Sequence, residues 1–422
     1  MKIGILGGGQ LARMMALRGA ELGLEVSILS EKKNDPAAQV VQNWQAGSID
    51  DTVAVQRFFS SVDAVTFESE FINTKKLESK LNSALLKKVQ PTISCVGTLQ
   101  DRTTQKTLIT ENKIPTAPFI ASPDQLQLKD FFNASRAGIV CKKRTNGYDG
   151  YGTFLLRSDA DLARFISENS KDKLEVTAAS SPQAGGKKLI TSGHFDGDEF
   201  IAEDLIGFQR ELAISAVRDM NGHILWTPLI EWKARDNKCW WVKGPIKHKS
   251  IEKLKRSLSS LLQKINYIGF ISFELFDSKK GLIVNEIAPR VHNSAHYTLN
   301  ATTPDQFQLH LLATAGLSLK KVGAHNSTLP LTTKSFAMVN LIGREMNELG
   351  QATTEASLLE HKLNRLRPLI AGSGFLHWYN KDIEKPGRKM GHINVCSPLS
   401  ADKALKKALQ LEKEFFNEFN KK

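Results

Sequence analysis

The chain has 422 residues, nearly three times the roughly 150 of a typical domain, so two or three domains are expected. Apolar residues make up 41% and charged residues 24%, a globular balance that excludes a disordered, collagenous or coiled-coil protein. Lys and Arg (57) outnumber Asp and Glu (44), and the net charge of +13 fits either a polyanionic partner or small acidic substrates.

The chain opens with a strand, Ile3–Leu6, a helix, Leu11–Leu22, and a second strand, Glu25–Leu29. Gly7-Gly8-Gly9-Gln10 and Arg13 interrupt the apolar start, and no small-residue cleavage site follows, so the start does not read as a signal peptide. Asp63–Phe67 is a further short strand, and Gln90-Pro91-Thr92 marks a loop. This βαβ rhythm predicts a parallel, doubly wound, Rossmann-like sheet. From Asp101 the pattern changes to a helix over Thr104–Glu111, a strand over Gly138–Lys142 and a Gly-rich loop, Asn146–Gly152. Ala178–Lys188 is Ser/Gly-rich and reads as an exposed loop or insertion. Strands follow at Ile214–Val217, Ile271–Phe276 and Leu282–Val284. The end, Ala401–Phe419, has helical apolar spacing with Ser400 as N-cap. No run of 18 apolar residues occurs, so no membrane span is expected. Cys95, Cys141, Cys239 and Cys396 are scattered without a C-x-x-C pair, which reads as reduced thiols of a cytoplasmic protein and offers no zinc site.

Three constellations can carry chemistry. Gly7-Gly8-Gly9-Gln10-Leu11-Ala12, between a strand and a helix, matches G-x-G-x-x-A, with Glu31 at the end of the next strand. It fits a dinucleotide, another phosphate-bearing ligand, or a tight turn alone. Lys142 followed by the Gly147–Gly152 loop can clamp phosphates with a point charge and backbone N–H groups, although no G-K-[ST] occurs; a surface hairpin is the plainer alternative. Glu274 and Glu286, at the ends of adjacent strands with Asn285 beside them, form an oxygen cage suited to a nucleotide-bound divalent cation, and Arg290 and His292 could stabilise an anionic intermediate.

In this order, the three resemble an ATP-grasp ligase, and more narrowly the N5-carboxyaminoimidazole ribonucleotide synthetase family. The resemblance rests on GILGGGQLARM (4–14), DRTTQKTLITENKIPTAPF (101–119), GYDGYG (147–152), EDLIGFQREL (203–212), NEIAPRVHNSAHY (285–297), QFQLH (306–310), MVNLIG (338–343) and HWYNKDIEKPGRKMGHI (377–393). It implies a doubly wound substrate-binding domain over 1–100, an ATP-grasp domain over 101–335 with a mobile lid at about 120–200, and a small C-terminal domain over 336–422. The implied activity is ATP- and bicarbonate-dependent carboxylation of aminoimidazole ribonucleotide in purine biosynthesis, with ATP and Mg²⁺ (or Mn²⁺) as cofactors, in a cytoplasmic homodimer.

The resemblance also assigns residues. Arg102 and Lys142, with Lys106 a weaker candidate, would contact ATP phosphates, together with the loop of Gly147, Tyr148, Asp149, Gly150 and Gly152. Glu203, Asp204 and Leu205 would read adenine through their backbone, and Glu211 would hold the ribose. Glu274 and Glu286 would ligate the metal beside Asn285. The ribonucleotide would meet Gly9, Gln10, Leu11, Tyr148, Asp149, Lys381 and Arg388. Arg290, His292, Asn293 and Ser294 would handle bicarbonate and its activated form. Asp149, Arg290, His292 and Lys381 are the expected catalytic residues.

Some positions depart from the family's usual pattern. Tyr151 stands for a basic residue, Thr153 for Gln, Trp232 and Ala234 for an Asn and a His, and Ala295 for Gly; Phe67 and Ser69 replace aromatics, and Lys171–His194 is long. Residues 233–258 carry nine Lys/Arg against two acids, net +7, around Trp240-Trp241. That suits a nucleic-acid surface or a solvated basic face; the second is adopted, so no nucleic-acid partner is expected. Two other activities compete. A formate-dependent purine transformylase does not call for Lys381 and Arg388, and a nicotinamide-dependent oxidoreductase leaves Glu274, Glu286 and the Gly147 loop unexplained.

Overall fold

The computed structural model describes residues 1–147, 150–171, 194–195, 197–322, 327–343 and 374–417. Tyr148, Asp149, most of the 171–194 stretch and the end of the expected 401–419 helix lie outside the described residues. The chain forms two compact units, Met1–Thr116 with Phe208–Lys422, and Ala117–Gly207.

The larger unit begins with four parallel strands, β1 (Lys2–Leu6), β2 (Glu25–Ser30), β3 (Asn43–Ala46) and β4 (Ala64–Phe67), in the order β3-β2-β1-β4. The inner strands β1 and β2 are buried after their first residues and mostly apolar, because helices cover a doubly wound sheet on both faces. Helices α1 (Gln10–Glu21), α2 (Thr52–Ser60), α3 (Thr74–Lys80), α4 (Ser83–Leu86), α5 (Ile93–Gln100) and α6 (Arg102–Glu111) follow, and the expected 90–92 loop holds a cis Gln90-Pro91 bond before Thr92 caps α5.

The smaller unit has strands β5 (Phe119–Ala121), β6 (Ile139–Lys143), β7 (Thr153–Leu156) and β10 (Phe200–Asp204) in the order β5-β10-β6-β7, all antiparallel, plus a two-stranded pair, β8 (Ser170–Lys171) and β9 (His194–Phe195). Helices α7 (Gln125–Ala134) and α8 (Asp159–Glu168) both start with capping boxes. Phe154, Phe165, Phe195 and Phe200 form its aromatic centre.

The remaining strands of the larger unit are β11 (Phe208–Arg218), β12 (Ile224–Trp226), β13 (Ile230–Arg235), β14 (Lys238–Gly244), β15 (Gly269–Ser278), β16 (Gly281–Ala288), β17 (Ser335–Ile342), β18 (Phe375–Trp378) and β19 (Lys389–Ser397). They form one nine-stranded sheet, β16-β15-β11-β13-β14-β17-β19-β18, with β12 paired to β11. The strands expected at 214–217 and 282–284 are longer than their apolar cores, because Arg210, Glu211 and Glu286 continue the ladder with polar side chains. Helices α9 (Ile251–Lys264), α10 (Thr298–Ala301), α11 (Gln306–Thr314) and α12 (Ala401–Asn417) complete it. On α12, Ala404, Ala408, Leu411 and Phe415 are buried in a cluster with strand residues of β17 and β19, and Ser400 Oγ accepts the Lys403 N–H at 3.4 Å.

Contacts on α12 also decide the fate of the basic segment. Arg235 stacks 3.4 Å over Trp240, both donate to buried Glu412, and Lys243 pairs with Glu231 and Asp402, while Trp241 lies inside. The two aromatics are therefore engaged within the protein.

His310 on α11 joins two sheets. Its Nδ1 accepts the Phe270 N–H of β15 at 3.0 Å, so Nε2 carries the proton and donates to Thr66 Oγ of β4 at 2.6 Å. Burial pushes its pKa down to about 4, and His377 is likewise pushed down to about 4, first by burial and then by Arg18. Unfolded imidazoles protonate near pH 6.5. Both therefore contribute full stability above that pH, and the contribution declines as the pH falls towards 4, at up to about 1.4 kcal/mol per pH unit for each. Thermal unfolding should show a constant midpoint above pH 6.5 and a falling one below it, with a shallower decline in His310→Gln.

Candidate active site

In a sheet ordered β3-β2-β1-β4, the chain reverses its direction of winding between β1 and β4, and ligands gather where such strands end. Gly7–Gly9 leave β1 there, and Glu68 leaves β4. The Glu68 carboxylate accepts the N–H of Gly9 at 2.7 Å and of Ala12 at 3.2 Å, so it occupies the N-terminus of α1. Burial raises its pKa against those two hydrogen bonds. The glycines make room for it. A Cβ on Gly7, whose φ is +105°, would stand 2.5 Å from Glu68 Cγ, and one on Gly9 would stand 2.7 Å from Oε2. The Gly9 N–H, beside which the ribonucleotide is expected, is held by this internal carboxylate. A dinucleotide pyrophosphate would have to displace Glu68 from the same donors. Gln10 and Leu11 stay half-buried at the start of the helix.

Two residues on, Glu70 grips Arg290. Its Oε2 accepts from Nε and its Oε1 from Nη2 at 3.1 Å, while Arg290 Nη1 donates to the Val291 carbonyl. Despite burial, each group favours the other's charge, so the Arg290 pKa rises and the Glu70 pKa falls. His292 follows. Ser294 N–H and Oγ both reach its Nδ1, which leaves the ring proton on Nε2, 3.8 Å from Glu274 Oε1. Burial, then Arg290 and Lys389, holds its pKa well below the usual value, so the ring is neutral at pH 7. Asn293 was expected to face substrate, but it is buried in a reciprocal amide pair with Asn340 at 3.0 and 2.7 Å. Ser294 is buried too, with its hydroxyl on His292. Both support this turn, since buried polar groups must find internal partners.

Glu274 and Glu286 face each other in register across β15 and β16, and the ladder then shifts so that Asn285 is the extra residue of a bulge. Both carboxylates keep some exposure, 24% and 34%. Arg102, at the start of α6, donates from Nη2 to Glu286 Oε2 at 3.1 Å. Lys106 is buried and donates to Thr116 at 2.7 Å, so this weaker phosphate candidate becomes a structural ammonium. Among the described residues no group of three or more His, Cys, Asp or Glu converges on one point. Two carboxylates still fit a hard divalent cation whose other ligands are phosphate and water. Glu211 lies on β11 opposite Trp232, and its carboxylate accepts the Ala234 N–H, so the departing 232–234 segment touches the expected ribose ligand.

The loop between β18 and β19 carries Lys381 and Arg388. Lys381 sits 5.6 Å over the Tyr379 ring, and Arg388 Nη1 donates to the Ile383 carbonyl at 2.8 Å. Asn380 and Gln39 exchange hydrogen bonds, and the Ala37 N–H donates to the Gly8 carbonyl at 2.9 Å. The 380 loop is thereby tied to the segment beside the Gly7–Gly9 turn.

In the smaller unit, Lys142 Nζ pairs with buried Glu203 Oε1 at 3.0 Å. The N–H groups of Asp204 and Leu205 donate to the carbonyls of Pro118 and Gly138 at 2.9 and 3.1 Å. Those two backbone donors thus serve strand and loop carbonyls of the same unit. Gly147 is buried, Gly150 and Gly152 adopt φ of +80° and +74°, and the Gly152 carbonyl accepts the Lys143 N–H. Lys143 holds its ammonium 6.0 Å over the Tyr151 ring, so a cation stands beside the position where the family's usual basic residue is missing.

Sequence reasoning passed over Glu68 and Glu70 as site residues. The usable signal was two acids just past the end of a parallel strand, where doubly wound sheets gather ligands. If the glycines serve Glu68, Gly9→Ala lowers stability by about 1–3 kcal/mol, and the loss shrinks in a Glu68→Ala background. A double-mutant cycle by denaturant unfolding measures this, and strictly additive effects would contradict it.

Comparison with known proteins bears on the same residues. Residues 1–100 match the ribonucleotide synthetase preATP-grasp domain, 107–307 the ATP-grasp domain, and 337–407 the phosphoribosylaminoimidazole carboxylase C-terminal domain. N5-carboxyaminoimidazole ribonucleotide synthase of Synechococcus elongatus is 29% identical over 97% of this chain and 92% of that protein, and that of Staphylococcus aureus is 30% identical over 94% and 92%. The crystal structure of the Staphylococcus aureus N5-carboxyaminoimidazole synthetase complexed with ADP matches with a TM-score of 0.77 at 26% identity, covering 97% of this chain and 96% of that one. The N5-carboxyaminoimidazole ribonucleotide synthetase of Thermus thermophilus matches with a TM-score of 0.74 at 27% identity, covering 98% of each. The chain belongs to the N5-carboxyaminoimidazole ribonucleotide synthase family and is an ATP-grasp carbon–nitrogen ligase.

Proposed function

We propose that this protein carboxylates the exocyclic amine of 5-aminoimidazole ribonucleotide, consuming ATP and bicarbonate, to give N5-carboxyaminoimidazole ribonucleotide for purine biosynthesis. The observation that carries the reading is the facing pair Glu274 and Glu286 next to the Arg290–His292 turn, in a chain whose relatives bear that enzyme's name. Bicarbonate is a poor electrophile. Its oxygen attacks the γ-phosphorus of ATP, ADP leaves, and carboxyphosphate forms. The amine then attacks the carboxyphosphate carbon, or the CO₂ released from it, and phosphate departs.

Mg²⁺, or Mn²⁺, bound by Glu274 and Glu286 would spread the charge of the transferred phosphoryl group. Arg290 supplies a permanent cation to the bicarbonate oxygens. His292, neutral with its proton on Nε2, donates a hydrogen bond without adding charge. Lys142 and Arg102, each resting on a carboxylate here, turn to the ATP phosphates. Lys381 and Arg388 take the phosphate of the ribonucleotide, because the N-terminus of α1 is filled by Glu68. Asp149 remains the proposed acceptor of the amine proton.

The division at 1–100, 101–335 and 336–422, a homodimeric state and a cytoplasmic location belong to the same reading. Light scattering of the purified protein tests the dimer.

The deciding experiment follows ADP release with purified protein, Mg²⁺, bicarbonate and aminoimidazole ribonucleotide. Turnover should depend on both carbon source and ribonucleotide; ATP hydrolysis indifferent to the ribonucleotide would falsify the reading. Glu286→Ala should lower kcat by about a hundredfold or more, and a retained rate would remove the metal assignment. Lys381→Ala should raise the KM for the ribonucleotide by about tenfold, the size expected of one lost charge-assisted bond, with the KM for ATP unchanged.

A further inference from the structure

We propose that Glu70 is a positioning residue for bicarbonate, acting through Arg290 by clamping one edge of its guanidinium so that the remaining N–H groups are aimed at the oxyanion. The inference rests on the reading of Arg290 as a bicarbonate ligand given above.

A guanidinium has five N–H groups in a fixed plane. Glu70 takes two of them side-on, from Nε and Nη2, and the Val291 carbonyl takes one from Nη1. One N–H then remains on each terminal nitrogen, which is the donor pair a planar trigonal anion such as bicarbonate can bridge with two oxygens. The side chains of Arg290 and Glu70 are 18% and 11% exposed, so the pair is sheltered from water without being fully closed off.

Glu70 is itself rigidly held. Its carbonyl accepts the Ile72 N–H at 2.8 Å, and the Gln100 amide nitrogen, in the orientation that satisfies its neighbours, donates to the Glu70 and Ile72 carbonyls at 2.6 and 3.1 Å. The turn starts from Glu68, which is bound to Gly9 and Ala12. A long, flexible arginine is thus oriented from the end of a parallel strand, two residues from the contact to the glycine turn. A carboxylate placed only to neutralise Arg290 would not need this double anchoring.

The test compares Glu70→Asp, which keeps the charge but withdraws it from Arg290, with Arg290→Lys, in steady-state assays with each of the three substrates varied. Glu70→Asp should raise the KM for bicarbonate by about tenfold to a hundredfold, the size expected of a misplacement near 1 Å. The KM values for ATP and ribonucleotide should stay within about twofold, with an unchanged circular dichroism spectrum confirming the fold. If Glu70→Asp does not fold, Gln100→Met, which loosens the turn without touching the ion pair, should move the same constant in the same direction. A loss in kcat, or an equal rise in all three constants, would mark Glu70 as merely structural and overturn the proposal. A rise in the bicarbonate KM for Arg290→Lys with none for Glu70→Asp or Gln100→Met would overturn it while leaving the Arg290 reading intact. No bicarbonate effect in Arg290→Lys would instead remove that reading.

Discussion

Two carboxylates at the end of one short strand set the terms for the larger unit. Glu68 and Glu70 are carried out of β4 into surroundings where an unmatched negative charge would cost several kcal/mol. Each finds a different remedy. Glu68 receives the backbone donors at the start of α1, which requires glycine at positions 7 and 9. Glu70 receives the guanidinium of Arg290, which requires the turn after β16 to come back to β4. Through these two contacts, the glycine turn and the Arg290–His292 turn share one reference point.

The same logic recurs at three of the cations expected to meet a phosphate or carbonate. Arg290 rests on Glu70, Arg102 on Glu286 and Lys142 on Glu203. Such pairs hold long side chains near one geometry before any substrate arrives, and they keep positive charge from repelling positive charge. They also recast the net charge of +13. Part of the basic stretch at 233–258 is tied down by Glu412, Glu231 and Asp402. The uncharged histidines have the opposite role. His292, His296, His377 and His392 are all driven towards neutrality by burial, so the region around the 292–301 turn is polar without being charged.

Much of the site was legible because its chemistry is carried by residue types in short, ordered runs. A glycine-rich turn after an apolar strand, two acids at the ends of paired strands, and an Arg-x-His after them keep their meaning without coordinates. Direction is what the residue types do not carry. Asn293 and Ser294 are buried by the short helical turn at 293–295. At 203–205, the N–H groups of Asp204 and Leu205 serve neighbouring carbonyls.

The sequence by itself determined the parallel opening sheet, the terminal helix, the facing acids and the family, because apolar periodicity and local motifs are properties of neighbouring residues. It did not determine that β17 to β19 extend the sheet begun by β11 to β16, nor that Glu68 fills the glycine turn and Glu70 orients Arg290. Those pairings span 59 and 220 residues of chain. They are chosen by which buried charges must be matched once the strands have come together, and only the tertiary structure makes that choice.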